Sequence, residues 1–168
     1  MAQNLLKIEP LTKAAFALFG DVIETDGAEV RLINGGSTQR FHDLMKIDVE
    51  TQNGHAIVSI FRGNPFDFPI EIRMLERHTL GSQAFMPMGK FPFIVVVAQD
   101  NQGVPATPKV FLANHGQGVN YAKNTWHHPL LSLENISDFI VVDRSGEGNN
   151  LEEHAFETSY FINQKPQD

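Results

Sequence analysis

The chain has 168 residues, of which 42% are hydrophobic and 20% charged, a composition typical of a folded globular protein and too apolar for intrinsic disorder. This length predicts a single domain over residues 1–168. The chain contains no cysteine, which excludes disulfide scaffolds, thiolate zinc sites and cysteine catalysis and suits the reducing cytoplasm. The net charge of −7 and the lack of a basic run argue against a nucleic-acid partner. The longest apolar stretch, 91–98, is far shorter than the roughly 20 residues of a membrane helix.

The first predicted element is a short N-terminal helix. In LTKAAFALFG, residues 11–20, Thr12 is a residue type that caps helices, and Gly20 stands where a left-handed residue would end one. The next local signal is Asn53-Gly54, which separates LMKIDVE from HAIVSIFR. Because Asn-Gly between β-rich runs favours a two-residue turn, the sequence predicts a β-hairpin here.

The rest of the chain predicts short strands and turns. The breaks between the apolar runs carry Gly, Pro, Asn or Asp, which are residues typical of turns. Many short strands without alternating helices predict an all-β sandwich or small barrel. The expected strands are 30–34, 39–45, 68–78, 83–88, 91–98, 109–113, 118–122, 128–134, 138–143 and 154–162.

The strand FPFIVVVA, residues 91–98, is apolar at every position. A strand of an antiparallel sheet normally alternates, because one of its faces meets water. We therefore expect both faces of this strand to be covered. The barrel interior covers one face, and a second subunit or the N-terminal helix covers the other, which predicts a homodimer.

Polar residues that bind metals or move protons are concentrated in two segments. In the first, residues 73–89, the period of two along a strand places Glu76 and His78 on one face and Arg77 on the other. Gln83 begins the next strand and can lie beside Glu76 and His78 if the two strands pair.

The second segment, residues 116–130, contains the adjacent histidines His127 and His128. Only one of the two can face the interior of a strand. Pro129 biases His128 toward an extended backbone, and Trp126 shares its face. We therefore expect His127 to point inward.

These two segments resemble the paired motifs of the cupin superfamily. In the first motif, Glu76 stands at the position of a cupin histidine, and Gln83 stands at the position of the cupin acid. In the second motif Ala122 and Asn124 replace a proline and a glycine, and Asn is the residue other than glycine that best tolerates the left-handed conformation. The matching positions are Glu76, His78, Gln83 and Gly89, then Gly116, Ala122, Asn124 and His127.

Longer strings resemble the ureidoglycolate lyase family, called hydrolases in older usage. They are FGDVIET, INGGSTQRFHDL, ERHTLGSQAFMPM, GQGVNYAKNTWHHPL and DFIVVDRSG, and they extend from Phe19 to Arg144. The resemblance implies a cupin-like double-stranded β-helix, or jelly-roll barrel, with a short N-terminal helix, and a homodimer. It also implies the cleavage of (S)-ureidoglycolate to glyoxylate and urea in bacterial allantoin and purine catabolism, with nickel as a cofactor.

The resemblance implies a metal site at Glu76, His78, Gln83 and His127. Two imidazole nitrogens and two oxygens leave two positions open on an octahedral ion, which suits an α-hydroxy acid and a divalent metal such as nickel, manganese, iron or cobalt. We expect His127 and His78 to be catalytic. Gln83 is expected to contact the substrate.

Other residues are candidates for the remaining roles. Lys123 is expected to bind the substrate carboxylate or to protonate the leaving nitrogen. Arg62 ends the strand after the Asn-Gly turn and is expected to reach the barrel mouth and bind substrate. His128 and His42 are further candidates for the general acid.

Other interpretations fit the same residues. Glu76-Arg77-His78 is also the pattern of a salt-bridged strand surface, and Gln83 also suits a buried hydrogen bond. The alternative functions are a different cupin enzyme, such as a sugar isomerase or metal-dependent dioxygenase, a carboxylate-binding cupin without activity, and an amidohydrolase that releases ammonia. Product analysis separates these alternatives.

Overall fold

The computed structural model describes residues 4–164, which form many strands and one short helix. The elements are β1 Asn4–Leu5, β2 Ile8–Pro10, α1 Lys13–Phe16, β3 Gly20–Ile23, β4 Glu29–Ile33, β5 Thr38–His42, β6 His55–Gly63, β7 Ile70–His78, β8 Gln83–Pro87, β9 Phe93–Ala98, β10 Asp100–Asn101, β11 Val104–Pro105, β12 Lys109–Ala113, β13 Gly118–Tyr121, β14 Trp126–His127, β15 Leu131–Ser132, β16 Ser137–Ser145 and β17 Leu151–Ile162. None of the helices in the described part of the chain is long and apolar enough to span a bilayer.

The strands form two main sheets that face each other. One sheet has the order β1-β17-β7-β14-β9-β12-β2, with β15 also paired to β9, and the other has the order β3-β13-β8-β16-β6. The chain passes repeatedly from one sheet to the other, as in β7 to β8 to β9 and in β12 to β13 to β14. This alternation is that of a double-stranded β-helix, so the predicted all-β, cupin-like fold is confirmed.

The buried strand β9 explains where the core lies. Its side chains alternate between two apolar clusters: Phe93, Val95 and Val97 enter the space between the sheets, whereas Ile94, Val96 and Ala98 pack on the outer side of their own sheet. Both faces are covered, as predicted, but residues of the same chain cover them. The burial of β9 therefore gives no argument for a second subunit, and the homodimer stays a prediction.

The helix is shorter than predicted. The hydroxyl of Thr12 accepts a hydrogen bond from the backbone N–H of Ala15 at 3.1 Å, which confirms the predicted cap, but α1 already ends at Phe16. Gly20 does not cap the helix; it begins β3 with φ +143°. Strand β13 passes so close that a Cβ on Gly20 would lie 1.9 Å from the carbonyl oxygen of Asn120. The glycine is required by this close approach.

The predicted hairpin at Asn53-Gly54 is wrong. Residues 44–50 form no strand, and β6 pairs with β16 instead. Residues 44–50, here called the crossing segment, run across the ends of other strands. Within it, the N–H of Asp48 donates to the hydroxyl of Ser82 at 2.9 Å, and the N–H of Ser82 donates to the carbonyl of Asp48 at 2.7 Å. These long-range bonds override the local turn signal.

The strand expected over 128–134 is also divided. The structure has β14 at Trp126–His127 and β15 at Leu131–Ser132 instead. Pro129 lies between them and has no N–H to continue a ladder. The division leaves His127 in a strand and His128 outside it.

Candidate functional site

Two adjacent strands bring three of the predicted site residues together. Glu76 and His78 lie on the same face of β7, and His127 on β14 is paired directly with Glu76 in register. The Nε2 atom of His127 lies 3.5 Å from Oε1 of Glu76, and Nε2 of His78 lies 3.9 Å from the same oxygen. One ligand atom from each residue falls within 4.8 Å of the others. We call Glu76, His78 and His127 the triad.

The ring of His127 is fixed by a hydrogen bond at one nitrogen, and its other nitrogen has no hydrogen-bond partner among the described residues. Its side chain is buried, and its Nδ1 lies 2.8 Å from the backbone carbonyl of Thr125. Because a carbonyl oxygen can only accept, Nδ1 carries a proton, and in the neutral ring Nε2 keeps its lone pair. The ring of Tyr121 stacks on the imidazole, with the centroids 4.2 Å apart and the planes 12° apart.

The free lone pair of His127 faces a negative group. Among the described residues, its Nε2 is buried and has no hydrogen-bond partner, although the carboxylate of Glu76 is 3.5 Å away. Two electron-pair donors facing each other in a buried place repel unless a positive charge lies between them. The geometry therefore fits a proton or a divalent cation at this point.

Gln83 joins the triad from the opposite sheet. Pairing of β7 with β8, the condition under which Gln83 was expected beside Glu76 and His78, does not occur, because the two strands belong to different sheets. Gln83 nevertheless reaches the triad across the barrel interior: its Oε1 lies 3.2 Å from Nε2 of His78. Its amide nitrogen donates to Oδ2 of Asp143 at 3.4 Å. The four expected ligands thus converge: Glu76, His78 and His127 come from one sheet, and Gln83 comes from the facing sheet.

Burial and neighbouring charges set the ionisation of the site. Burial raises the pKa of Glu76, but the positive charge of His127 when its ring is protonated, together with the charges of His78 and His128, holds the pKa below its ordinary value. Burial, followed by the charge of His127, lowers the pKa of His78. At neutral pH the site therefore presents a carboxylate beside a neutral imidazole, which are ligand forms that divalent metals bind.

A cavity of about 490 Å³ opens above these residues. Glu76 and Gln83 contribute to its lining together with the apolar side chains of Phe61, Phe66, Phe85 and Leu130. This lining combines apolar surface with a few converging polar groups, which is typical of a small-molecule site.

Arg62 lies at this cavity, as predicted. Its guanidinium is bidentate to Asp138, with Nε to Oδ1 at 2.7 Å and Nη2 to Oδ2 at 2.8 Å. The Arg62 side chain is 71% exposed, so this cation faces solvent at the rim of the cavity.

The structure does not bring every predicted residue to this cavity. Lys123 lines a different cavity, where its Nζ lies 3.1 Å from Asp48 and 2.9 Å from the hydroxyl of Thr51. His42 lines a third and larger cavity of about 660 Å³, which does not include the triad. His128 is directed to the carbonyl of Pro129, 2.9 Å from its Nδ1.

The turn within the second motif segment, just before β14, takes the predicted conformation. Asn124 has φ +68°, the left-handed conformation expected where the cupin motif has glycine. Its N–H donates to the carbonyl of His78 at 2.8 Å, so the turn ties the two ligand-bearing segments together.

Two neighbours of the site were missed in the sequence. Tyr121 stacks on His127, and Asp143 holds Gln83. A period-two count along β16 puts Asp143 on the same face as Phe139 and Val141, both buried between the sheets. This signal was available, but it did not show which ligand Asp143 contacts.

Comparison with known proteins identifies relatives over nearly the whole chain. The family model described as ureidoglycolate lyase matches residues 3–163. The chain is 58% identical over 163 residues to the ureidoglycolate lyase of Brucella anthropi, covering 96% of each chain. It is 55% identical over 159 residues to that of Rhizobium leguminosarum bv. trifolii, covering 95% of this chain and 96% of the other.

A solved structure is also similar. It is a 3,4-ketoisomerase from Helicobacter canadensis, with a TM-score of 0.42 and 16% sequence identity. The match covers 76% of this chain and 84% of that chain.

The triad geometry predicts divalent-cation binding that depends on Glu76. Glu76→Gln removes the negative charge facing His127, so we expect the affinity for Ni²⁺ to fall by at least about tenfold. Isothermal titration of metal-free protein measures this affinity. Glu153→Gln is the matched control, because Glu153 is the neighbour of Glu76 across the sheet but its side chain is exposed. Equal affinities in the two variants would contradict the site.

Proposed function

The chain belongs to the ureidoglycolate lyase family and is a carbon–nitrogen lyase, and from that premise we propose that it cleaves (S)-ureidoglycolate in the cavity above Glu76 and Gln83. The products are glyoxylate and urea, which places the reaction in allantoin and purine breakdown. The observation that carries the assignment of the site is the free Nε2 of His127 facing the carboxylate of Glu76.

The reaction requires one proton to move between two atoms of the substrate. One carbon of ureidoglycolate bears a hydroxyl, a carboxylate and a urea nitrogen. When the hydroxyl loses its proton, its C–O bond becomes the carbonyl of glyoxylate, the C–N bond breaks, and the nitrogen takes up a proton to give urea. Water is not consumed, so the reaction is an elimination and needs no water molecule bound in the cavity.

His127 is suited to carry this proton. Its Nε2 accepts the hydroxyl proton, and Glu76 at 3.5 Å stabilises the imidazolium that forms. The same nitrogen then returns the proton to the departing urea nitrogen, which was bound to the same carbon. General acid–base catalysis of this kind contributes about 10²–10⁴-fold.

Arg62 is the residue we assign to the substrate carboxylate. Its guanidinium can bind a carboxylate bidentately, as it binds Asp138, and because its side chain is exposed at the cavity rim it can exchange Asp138 for the substrate. Gln83 is assigned to the urea group or to a cation. Lys123 receives no role, because its Nζ is already held by Asp48 and Thr51.

We also propose a divalent metal cofactor, with nickel as the family resemblance implies. Glu76, His78, Gln83 and His127 supply nitrogen and oxygen donors without sulfur, a set that suits nickel, manganese, iron or cobalt. When bound, the ion would supply Lewis-acid stabilisation of the negative charge that develops on the substrate hydroxyl oxygen. Nε2 of His127 can hold either the proton or the cation: without an ion it takes the hydroxyl proton, whereas with an ion bound it would be a ligand and the ion would favour loss of that proton.

We propose that the protein is a cytoplasmic homodimer of one-domain chains, joined through the hairpin β4–β5. This hairpin pairs with neither main sheet, and an isolated two-stranded hairpin is marginally stable in water. Val30 and Leu32 lie on one face of it, 48% and 67% exposed, with Phe41 paired across from Val30. A second copy would cover this apolar face. The lack of cysteine suits the cytoplasm.

Product analysis tests the proposed reaction. Purified protein with racemic ureidoglycolate should release equal amounts of glyoxylate and urea and no ammonia. We expect His127→Ala to lower turnover more than 100-fold, because it removes the group that carries the proton. His55→Ala, at an exposed position on β6, is the control and should be close to the wild type. Ammonia released without urease, or full activity in His127→Ala, would overturn the proposal.

The dimer is tested at the hairpin. Leu32→Asp places a charge in the proposed interface, so the variant should be monomeric in multi-angle light scattering at micromolar concentration, whereas the wild type is dimeric. Val104→Asp introduces the same charge at another exposed apolar position, on β11, and should remain dimeric. A monomeric wild type would refute the dimer, and a dimeric Leu32→Asp would refute this interface.

A further inference from the structure

The side chain of Asp143 meets the site through Gln83 alone. It projects from β16, and its Oδ2 accepts a hydrogen bond from the amide nitrogen of Gln83 at 3.4 Å. Its other oxygen, Oδ1, is buried and has no hydrogen-bond partner among residues 4–164. A buried carboxylate needs a reason to be retained, since leaving its oxygens unpaired costs free energy.

The chemistry of the pair fixes the direction of the amide. A carboxylate only accepts hydrogen bonds, whereas the two ends of a primary amide differ: the nitrogen donates and the oxygen accepts. The nitrogen of Gln83 must therefore face Asp143. The amide oxygen is then directed the opposite way, to Nε2 of His78 at 3.2 Å. Gln83 is 7% exposed, so water does not offer its ends an alternative set of partners.

We propose that Asp143 is a positioning residue that holds the carbonyl oxygen of Gln83 toward the triad. With the amide so directed, the site presents two oxygens and two imidazole nitrogens to a cation. The ring of His78 can take part because imidazole carries its one proton on either nitrogen, and Nδ1 takes that proton when Nε2 binds a cation. This inference rests on the cation site of the proposed function.

The same pair explains why residue 83 is an amide in this chain. A glutamate at this position would put a second carboxylate beside that of Asp143, at the distance of a hydrogen bond and in a partly buried place. Two like charges so placed disfavour each other strongly. Gln83 and Asp143 together supply one negative charge and one oxygen ligand, which a single acidic side chain would otherwise supply.

The test exchanges the two functional groups. Asp143→Asn keeps the shape of the side chain but lets it donate, so the amide of Gln83 can turn and present its nitrogen to the cation. We expect the affinity of metal-free protein for Ni²⁺ to fall roughly 10–100-fold in isothermal titration, the usual effect of losing a group that orients a ligand. In the double variant Gln83→Glu/Asp143→Asn, the amide at position 143 donates to the carboxylate at position 83. The other oxygen of that carboxylate faces the cation, so most of the affinity for Ni²⁺ should return.

The outcomes distinguish the proposal from its premise. If the wild type does not bind Ni²⁺, the cation site itself fails. If the wild type binds and Asp143→Asn binds equally well, the positioning role fails. A loss that the double variant does not restore, accompanied by a lower melting temperature, assigns Asp143 a structural role and also overturns the proposal. Asp26→Asn, at an exposed position, is the control and should retain the wild-type affinity.

Discussion

The hydrogen bond from Nδ1 of His127 to the carbonyl of Thr125 is the interaction on which the site depends. It places the ring proton on the side away from the cavity and leaves Nε2 as a lone pair directed at Glu76. Without this bond the neutral ring could turn its N–H toward the carboxylate and donate an ordinary hydrogen bond to Glu76. The carbonyl of Thr125 thus keeps the lone pair of Nε2 available. Metal-binding histidines commonly donate their other ring N–H to such an acceptor.

The barrel supplies the rigidity that this arrangement requires. Glu76 and His127 face each other because β7 and β14 are paired in register, and Gln83 reaches them because β8 lies in the facing sheet. The N–H of Asn124 ties the second segment to the backbone of His78. Side chains fixed on strands of two sheets hold their relative positions better than side chains on loops. The cavity above them is lined mainly by apolar side chains, with few polar groups besides Glu76, Gln83 and Arg62.

Patterns in the sequence predicted the features that depend on residues close together in the chain. The period of two placed Glu76 and His78 on one face, and the tolerance of asparagine for left-handed backbone predicted the conformation of Asn124. The environment of Lys123 could not be predicted, because its partners Asp48 and Thr51 lie more than 70 residues away and meet it only once the chain has folded.

The Asn-Gly hairpin failed for a related reason. The turn signal is local, but the backbone bonds between Asp48 and Ser82 are long-range and decide where the crossing segment lies. The role of Asp143 was hidden likewise: its strand pattern places it inside, and only the packing of two sheets brings it to Gln83. Sequence patterns thus identify inward-facing residues, whereas their partners follow from the tertiary fold.

The site depends on a lone pair at Nε2 of His127 that is available to one proton or one metal cation. Long-range ¹H–¹⁵N correlation spectra of the histidine rings measure this directly in metal-free protein near neutral pH, with His127→Gln to assign the signal. We expect His127 to be the Nδ1–H tautomer. When one equivalent of Ni²⁺ is added, its Nε2 resonance should be lost or shift strongly. An Nε2–H tautomer, or a His127 spectrum unchanged by Ni²⁺, would contradict it.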